Sequence, residues 1–497
     1  MRLLIPHSLL ALIVHGAVLA KSDLLESLAG VSGGLIFTYP NQMDYPRASE
    51  PFNLRYSYQP AAIAYVNSVE QVSEVVKVGY DLGYNVVARS GGHSYVAAGL
   101  GGKDGSIVID LSNLTYFAMD QPAAVATVAS GLRIGQVATH LNEWGRALPH
   151  ATGAYVGWGG QTAYGGYGFS TRKWGLTLDM VLSARVVLAN GTVVTASKDT
   201  NPDIFFAIRG AAPSFGIITS MRLQTWQPPS STTVYQYAWN MDIRTGTAAL
   251  SAFQNYSLTA DIPPALGVEF VLVPGDARGA VTLLLSGTWY GPADELEPVL
   301  RPLLAELPTP RSSTFDVGDY LNSVKNLAGG SLDVSGPGAH STFYVKSLIT
   351  PQSEPLTVGA MKAFITYIAN EGFDTDLGWF LQIGLLGGTD SQINSVASTD
   401  TAFPHRDSLF MMQLYAYTKG DVLPYPEHGF TFVDGIVDSF VNNMPDDWDY
   451  GAYTNYFDDR LEDSDYRYYK QNLPKLKHLK AKYDPTGVFD FPHAIKP

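Results

Sequence analysis

The stretch "RSGGHSY" (residues 89–95) directly follows the strand-like run "YNVVA". Its two glycines let backbone approach a ligand closely and reach positive φ, and successive N–H groups in such a turn can cup an anion. His93 would then sit at the rim of a phosphate cradle. A plain glycine turn carrying a surface histidine fits the same seven residues. A second cluster, "GAYVGWGGQTAYGGYG", places seven glycines within residues 153–168. That density suits backbone lying against something flat or anionic, although irregular turns packed on one another would use it too. Two such cradles, about sixty residues apart, could together hold a large dinucleotide.

The opening residues, "MRLLIPHSLLALIVHGAVLA", combine one arginine, a leucine-rich stretch and small residues at Ala17 and Ala20. They read as a signal peptide over 1–20, too short and wrongly flanked for a spanning helix. No later run is apolar for long enough to cross a bilayer, so a secreted, extracellular protein with no membrane partner is expected. Sequons at Asn113, Asn190 and Asn255 suit a glycoprotein. "GVSGG" (30–34) has the spacing of a hydrolase nucleophile elbow, but it lies just past the expected cleavage point, without the strand and helix that motif needs. A formal net charge of −14 opposes a nucleic-acid partner, which requires a basic footprint. The chain has no cysteine, hence no disulfide, no thiolate nucleophile and no thiolate-bound metal. Neither a zincin nor a P-loop motif occurs, and no metal site is expected.

These cradles need elements to position them. A chain of 497 residues exceeds one compact core, so a two-lobed body is expected. From residue 55 to 225 strand-like and helix-like runs alternate in an α+β pattern. "SVEQVSEVVKVGYDLG" reads as a helix capped by Ser68, with Val69, Val72, Val75 and Val76 on its apolar face and Gly83 near its end. "YNVVAR", "SIVIDLSNL" and "AVATVASG" read as strands, "RIGQVATHLNEWG" as a helix, and "VLSARVVLANGTVVTAS" as two strands turning at Asn190–Gly191. "WQPPSSTT" (226–233) reads as a linker. Beyond it come the strands "LGVEFVLVPG" and "AVTLLLSGTWYG" and helices near 293–306 and 354–371. The last segment returns to tyrosine-rich strand and closes with the helix "LPKLKHLKAKY".

"RSGGHSY", "VIDLSNL", "GWGGQTAYGGYGFSTRKWGLTLDM", "NPDIFFAIRGAAPSFGIIT" and "YTNYFDDRL…YYKQNLPKLKHLKAKYDPTGVF" occur in this order. Together they resemble the berberine bridge enzyme-like branch of the vanillyl-alcohol oxidase flavoproteins, and within it the secreted fungal oligosaccharide oxidases. The resemblance implies an FAD-binding domain made of residues 21–227 and a returning segment 446–497. Residues 228–445 would form a substrate-binding domain, an antiparallel sheet covered by helices. It implies that His93 carries FAD covalently on the isoalloxazine 8α carbon. Arg89, Ser90, Gly91, Gly92 and Ser94 would hold the pyrophosphate. Gly157, Gly159, Gly160, Gly165 and Gly168 would follow the cofactor, with Ile217 and Ile218 at its edge. Relatives carry a second, cysteine link at the position of Gly153, so only the His93 link is expected here. Val156, three residues on, would flank the carbon that meets oxygen, with the bulk of Trp158 close by.

On the substrate side the resemblance implies contacts from Tyr95, Tyr167, Glu269, Gln382 and Gln413. Aromatic faces with amides and one carboxylate suit a neutral polyol. The catalytic base would be Tyr456, with Tyr453 the other candidate in "YTNY". A phenol needs cationic or hydrogen-bonded help to act as a base near neutrality. Sugar oxidases supply an aspartate where this chain has Gly384, and a histidine where it has Gln161. The expectation is a monomeric FAD-dependent oxidase that turns the anomeric hydroxyl of a mono- or oligosaccharide into a lactone and passes electrons to molecular oxygen. The alternatives are a tailoring oxidase of secondary metabolism acting on an aromatic or alkaloid substrate, or a sugar dehydrogenase using a quinone.

Overall fold

The computed structural model describes residues 22–497, so the signal peptide expected over 1–20 lies outside the described residues. Two sheets build the first lobe. One contains β1 (Ile36–Thr38), β2 (Ala62–Tyr65), β3 (Val86–Arg89) and β4 (Ile107–Asp110) in the order β1–β2–β4–β3. β2 and β3 both pair parallel with β4. Helix α1 (Val69–Leu82) makes the crossover from β2 to β3. It starts where the Ser68 hydroxyl accepts the Gln71 N–H and stops at Gly83, whose φ is 73°. Its Val72, Val75 and Val76 bury against Ala62, Ala64, Ile107 and Ile109. The carboxyl end of β3 therefore delivers the 89–95 turn from a fixed sheet, the end of parallel strands at which ligands gather.

The second sheet is antiparallel, in the order β5–β6–β9–β7–β8. Its strands are β5 (Phe117–Asp120), β6 (Val125–Ala129), β7 (Val181–Val187), β8 (Val193–Ser197) and β9 (Ile217–Gln224). β7 and β8 meet in a hairpin that pairs Val187 with Val193 and turns through Gly191 at φ 78°. Helices α2 (Ile134–Glu143) and α3 (Trp158–Tyr164) pack with this sheet.

The second lobe is one seven-stranded antiparallel sheet, ordered β13–β10–β12–β11–β15–β16–β14. Its strands are β10 (Thr232–Asp242), β11 (Leu266–Pro274), β12 (Ala280–Trp289), β13 (Ser312–Gly318), β14 (Phe343–Pro351), β15 (Gly378–Leu385) and β16 (Ser408–Tyr417). Thr232 and Thr233, read from sequence as linker, already belong to β10 and are buried. Helices α4 (Ile243–Thr259), α5 (Val358–Asp374) and α6 (Glu427–Val441) cover one face. Strand alternation sends Val268, Phe270 and Leu272 into that covered core. It turns Glu269 and Val271 to the opposite, open face.

The final segment departs from the sequence reading. Among the described residues it contains no strand. Thr454–Tyr456 is a single 3₁₀ turn, joined to β14 by the isolated Ile349–Gly451 bridge and by side-chain bonds such as Tyr453 N–H to the Ser347 hydroxyl at 2.9 Å, and α7 (Leu473–Tyr483) follows. Its tyrosines turn into different pockets instead of alternating: Tyr468 and Tyr469 join the first-lobe core, while Tyr453 and Tyr456 face the other way. The chain ends against the first lobe, where Val86 N–H donates to the Val488 carbonyl at 2.8 Å.

Candidate active site

A cavity of about 850 Å³ is lined by the 89–95 turn, the 151–169 loop, the open face of the seven-stranded sheet and the Tyr453–Phe457 turn. That volume is in the range of cofactor and ligand sites. Every site residue expected from sequence lines it except Gly165. Gly165 instead makes room for a neighbour: a Cβ there would stand 2.7 Å from the Tyr453 hydroxyl. Trp158, expected to crowd Val156, is fully buried in the first-lobe core and does not line the cavity.

The two glycine loops cross backbone to backbone. A Cβ on Gly91 would collide with Gly157 N and lie 2.7 Å from its Cα, and a Cβ on Gly157 would collide with Gly91 in turn. Gly168 is likewise pressed on the His150 carbonyl, whereas a Cβ on Gly160 would point into open space. So much of the glycine density serves loop-on-loop packing, with only part left for a ligand. The side chains of the first loop are also engaged. Arg89 Nε donates to Asp110 at 2.5 Å, the Ser90 hydroxyl to the Ser130 carbonyl at 2.5 Å, and the Ser94 hydroxyl accepts from Ala98 N–H at 3.1 Å.

What remains free is backbone. No hydrogen bond within the described residues takes up the N–H groups of residues 91–95. A run of N–H groups without protein acceptors on a cavity wall fits an anionic ligand, as a pyrophosphate would provide. This separates the turn from a plain surface loop. His93 stands in it half-buried, its ring stacked on Phe52 with centroids 3.8 Å apart. Burial lowers its pKa to about 4, helped by the nearby charges of Arg133 and His340, so the imidazole is neutral at ordinary pH. The expected FAD therefore meets a matching site: donors for phosphate, a neutral nucleophilic imidazole, and open space beside Gly160 and Ile218.

At the far end, strand register assembles the polar wall. Gln382 on β15 pairs directly with Gln413 on β16, and Glu269 on β11 with Gly384 on β15. Gln382 Nε2 lies 3.3 and 3.4 Å from the two Glu269 carboxylate oxygens. Burial pushes Glu269 up to about 7, with the Gln382 hydrogen bond acting in the opposite direction. Gln413 Nε2 donates to the Tyr95 hydroxyl at 2.8 Å, and burial pushes that phenol up to about 12.

The two candidate bases are held differently. Tyr453 is fully engaged by the protein: its hydroxyl oxygen accepts from Gly166 N–H at 3.0 Å, Tyr167 N–H at 3.2 Å and Asn455 Nδ2 at 2.9 Å. Tyr456 stacks on Tyr95 with centroids 5.5 Å apart and rings 7° from parallel. Its hydroxyl has no hydrogen-bond partner among the described residues, and burial raises its pKa well above 10. Gln161 donates to the Thr177 hydroxyl at 3.2 Å, and its backbone carbonyl accepts from Asn455. Sequence reasoning missed Phe52 and Asn455. Phe52 carries no periodic signal, while Asn455 lies inside "YTNY" and could have been read as the tether of its own turn.

Comparison with known proteins agrees with this geometry. A family model for an FAD binding domain matches residues 60–197, and one for berberine and berberine-like proteins matches residues 452–496. A xylooligosaccharide oxidase of Thermothelomyces thermophilus is 36% identical over 473 residues, covering 93% of this chain and 92% of that protein. A chitooligosaccharide oxidase of Gibberella zeae is 34% identical over 454 residues, 90% of this chain and 89% of the other. Among solved structures, the glucooligosaccharide oxidase of Acremonium strictum, described with a 6-S-cysteinyl, 8α-N1-histidyl FAD, superposes with a TM-score of 0.88 at 32% identity, over 96% of this chain and 99% of that one.

Proposed function

The chain belongs to the berberine bridge enzyme-like family of FAD-linked oxidoreductases, and from that premise we propose that it oxidises the anomeric hydroxyl of mono- or oligosaccharides to lactones, with oxygen as acceptor. The observation that carries this reading is the wall of Glu269, Gln382, Gln413 and Tyr95, neutral apart from one carboxylate, facing a free Tyr456 hydroxyl across one cavity. Amides and aromatic faces recognise a neutral polyol without a charged clamp. The N–H groups of residues 91–95 and the crossing at Gly91 and Gly157 would hold FAD. His93 would be its single covalent anchor, because Gly153 offers no thiol and the chain has none. Bound FAD supplies the two-electron oxidation, taking hydride from the substrate carbon.

Tyr456 takes the substrate hydroxyl proton at its own oxygen. With its pKa raised by burial it is not a stored phenolate, so it gives up its proton as it accepts one. Two carboxylates line the cavity: Asp316, held by Asn322 and Asn326, and Glu269 on the polar wall. In this reading Glu269, whose charge acts on the Tyr456 phenol, is the final acceptor, reached through substrate or solvent because no hydrogen bond joins the two side chains. Val156 lines the cavity wall, which supports oxygen as the acceptor in this reading. Asn113, Asn190 and Asn255 are all exposed, which supports a secreted glycoprotein. One observation favours a second reading, a tailoring oxidase of an aromatic substrate: Gly384 lacks the acid that sugar oxidases place there.

Anaerobic mixing of the holoenzyme with gluco-, xylo- and chito-oligosaccharides tests the proposal. Rapid bleaching of the flavin absorbance by at least one sugar, with lactone formed, is the expected result. Bleaching only by phenolic or alkaloid alcohols would transfer the assignment to the second reading.

A further inference from the structure

We propose that Phe52 is a positioning residue for cofactor attachment: its ring holds the His93 imidazole flat on the cavity wall, with a ring nitrogen presented to FAD. A histidine that must react through one nitrogen is ordinarily oriented by a hydrogen bond at the other. Here no hydrogen bond reaches either nitrogen among the described residues. The stack on Phe52, at 3.8 Å and 22° between ring planes, is the contact that fixes the ring plane.

Phe52 is itself locked. Its carbonyl accepts Ser341 N–H at 3.0 Å, the next residue but one returns the bond through Leu54 N–H to the Ser341 carbonyl at 2.9 Å, and its ring meets Phe343 edge-on at 5.5 Å. Buried Asn53 ties the same segment to both sides, donating to the Tyr95 carbonyl at 2.8 Å and the Phe343 carbonyl at 3.0 Å. The strap at 51–54 thus references the His93 turn to β14 of the other lobe. With glycine at 153 there is no second anchor to correct a misplaced ring, so orientation at His93 matters more than in a doubly linked relative.

The inference rests on the reading that His93 carries FAD. In that attachment one imidazole nitrogen bonds to the 8α methyl carbon. The carbon and the imidazole each release a proton, and the C–H electron pair reduces the FAD ring system. Oxygen, taking up the pair and two protons as hydrogen peroxide, restores the oxidised cofactor.

The test follows acid-stable fluorescence on the full chain after FAD is added to protein prepared under riboflavin limitation, with total bound FAD measured alongside. Phe52→Leu keeps apolar volume but not a flat face, and Phe52→Tyr keeps both. We expect Phe52→Leu to bind FAD yet attach it about tenfold more slowly or worse, the scale of a lost orientation, and Phe52→Tyr to match wild type. Attachment by Phe52→Leu at the wild-type rate overturns the role of Phe52. Should Phe52→Leu not fold, Phe52→Met replaces it with the same two outcomes. Release of all FAD by acid-treated wild type, or acid-stable FAD in His93→Ala, overturns the His93 reading itself and is separately visible.

Discussion

Glu269 should make stability depend on pH in a direction opposite to most carboxylates. Burial raises its folded pKa from 4.5 to about 7. Between those values the folded protein holds a proton that the unfolded chain has already released, so stability falls as pH rises through this window. Below pH 4.5 both states are protonated and the effect is absent. Above about pH 7 it is complete. A span of about 2.5 pH units at 1.36 kcal/mol each gives about 3 kcal/mol lost on ionising the buried group. Glu269→Gln never ionises and keeps an amide in the same space. Urea unfolding of wild type and Glu269→Gln, followed from pH 4 to 8 through tryptophan fluorescence, reads this directly. The advantage of the variant should grow with pH by up to about 3 kcal/mol and then level off. Gln382→Leu removes the donor that opposes the shift, and should move the window to higher pH. Stability curves of wild type and Glu269→Gln that stay parallel between pH 4.5 and 7 would refute the argument, because the carboxyl would then be ionising as if in water.

Tyr456→Phe should retain FAD and slow anaerobic bleaching by a good substrate about 10²-fold, as loss of a general base does; a wild-type rate would remove Tyr456 from the chemistry. Tyr453→Phe leaves three N–H donors without their acceptor, so it should cost about 1–3 kcal/mol in unfolding experiments besides any effect on rate. Val156→Leu adds bulk beside the cavity wall, and stopped-flow should show slower reoxidation by oxygen with reduction by substrate nearly unchanged; fast wild-type reaction with quinones but not oxygen would instead mark a dehydrogenase. At Gly153 a Cβ would meet only Val156 Cγ2, at 3.1 Å, so Gly153→Cys fits after a small shift. Combined with His93→Ala, it should yield FAD that survives acid precipitation, detected by mass spectrometry of the flavin peptide.

Local chemistry was legible wherever one short stretch determined the outcome. Ser68 and Gly83 bounded α1 as read, because a cap and a left-handed stop are decided by the residues themselves. The "RSGGHSY" turn could be read as a possible cradle, though only the structure separates it from an ordinary turn, through five N–H groups left unused. The tyrosine-rich end misled for the same reason in reverse. Its aromatics suggested strand propensity, but Tyr453 is captured by the N–H groups of Gly166 and Tyr167, far away in sequence, and the turn follows that capture. Propensity yields where tertiary hydrogen bonds are available. Phe52 was invisible because its ring partners lie on segments distant in sequence, with no period to announce them.

The residue at 384 shows how closely its neighbours pack this strand position. A Cβ on Gly384 would collide with the Tyr167 hydroxyl and stand 3.1 Å from the carbon bearing it. The space beside this strand position is therefore already filled, by a phenol on the glycine-rich loop whose backbone is pinned to Tyr453. An aspartate at 384 would require the Tyr167 ring to turn aside, while the Tyr167 N–H that holds Tyr453 belongs to the backbone. One of the cavity's two carboxylates stands directly across the strand pair, at Glu269, in register with Gly384. The glycine, the tyrosine and the glutamate form one packed arrangement across the β11–β15 pair. Changing Gly384 alone to aspartate would press its Cβ on the Tyr167 hydroxyl, so the substitution is tolerated only as far as that ring can shift.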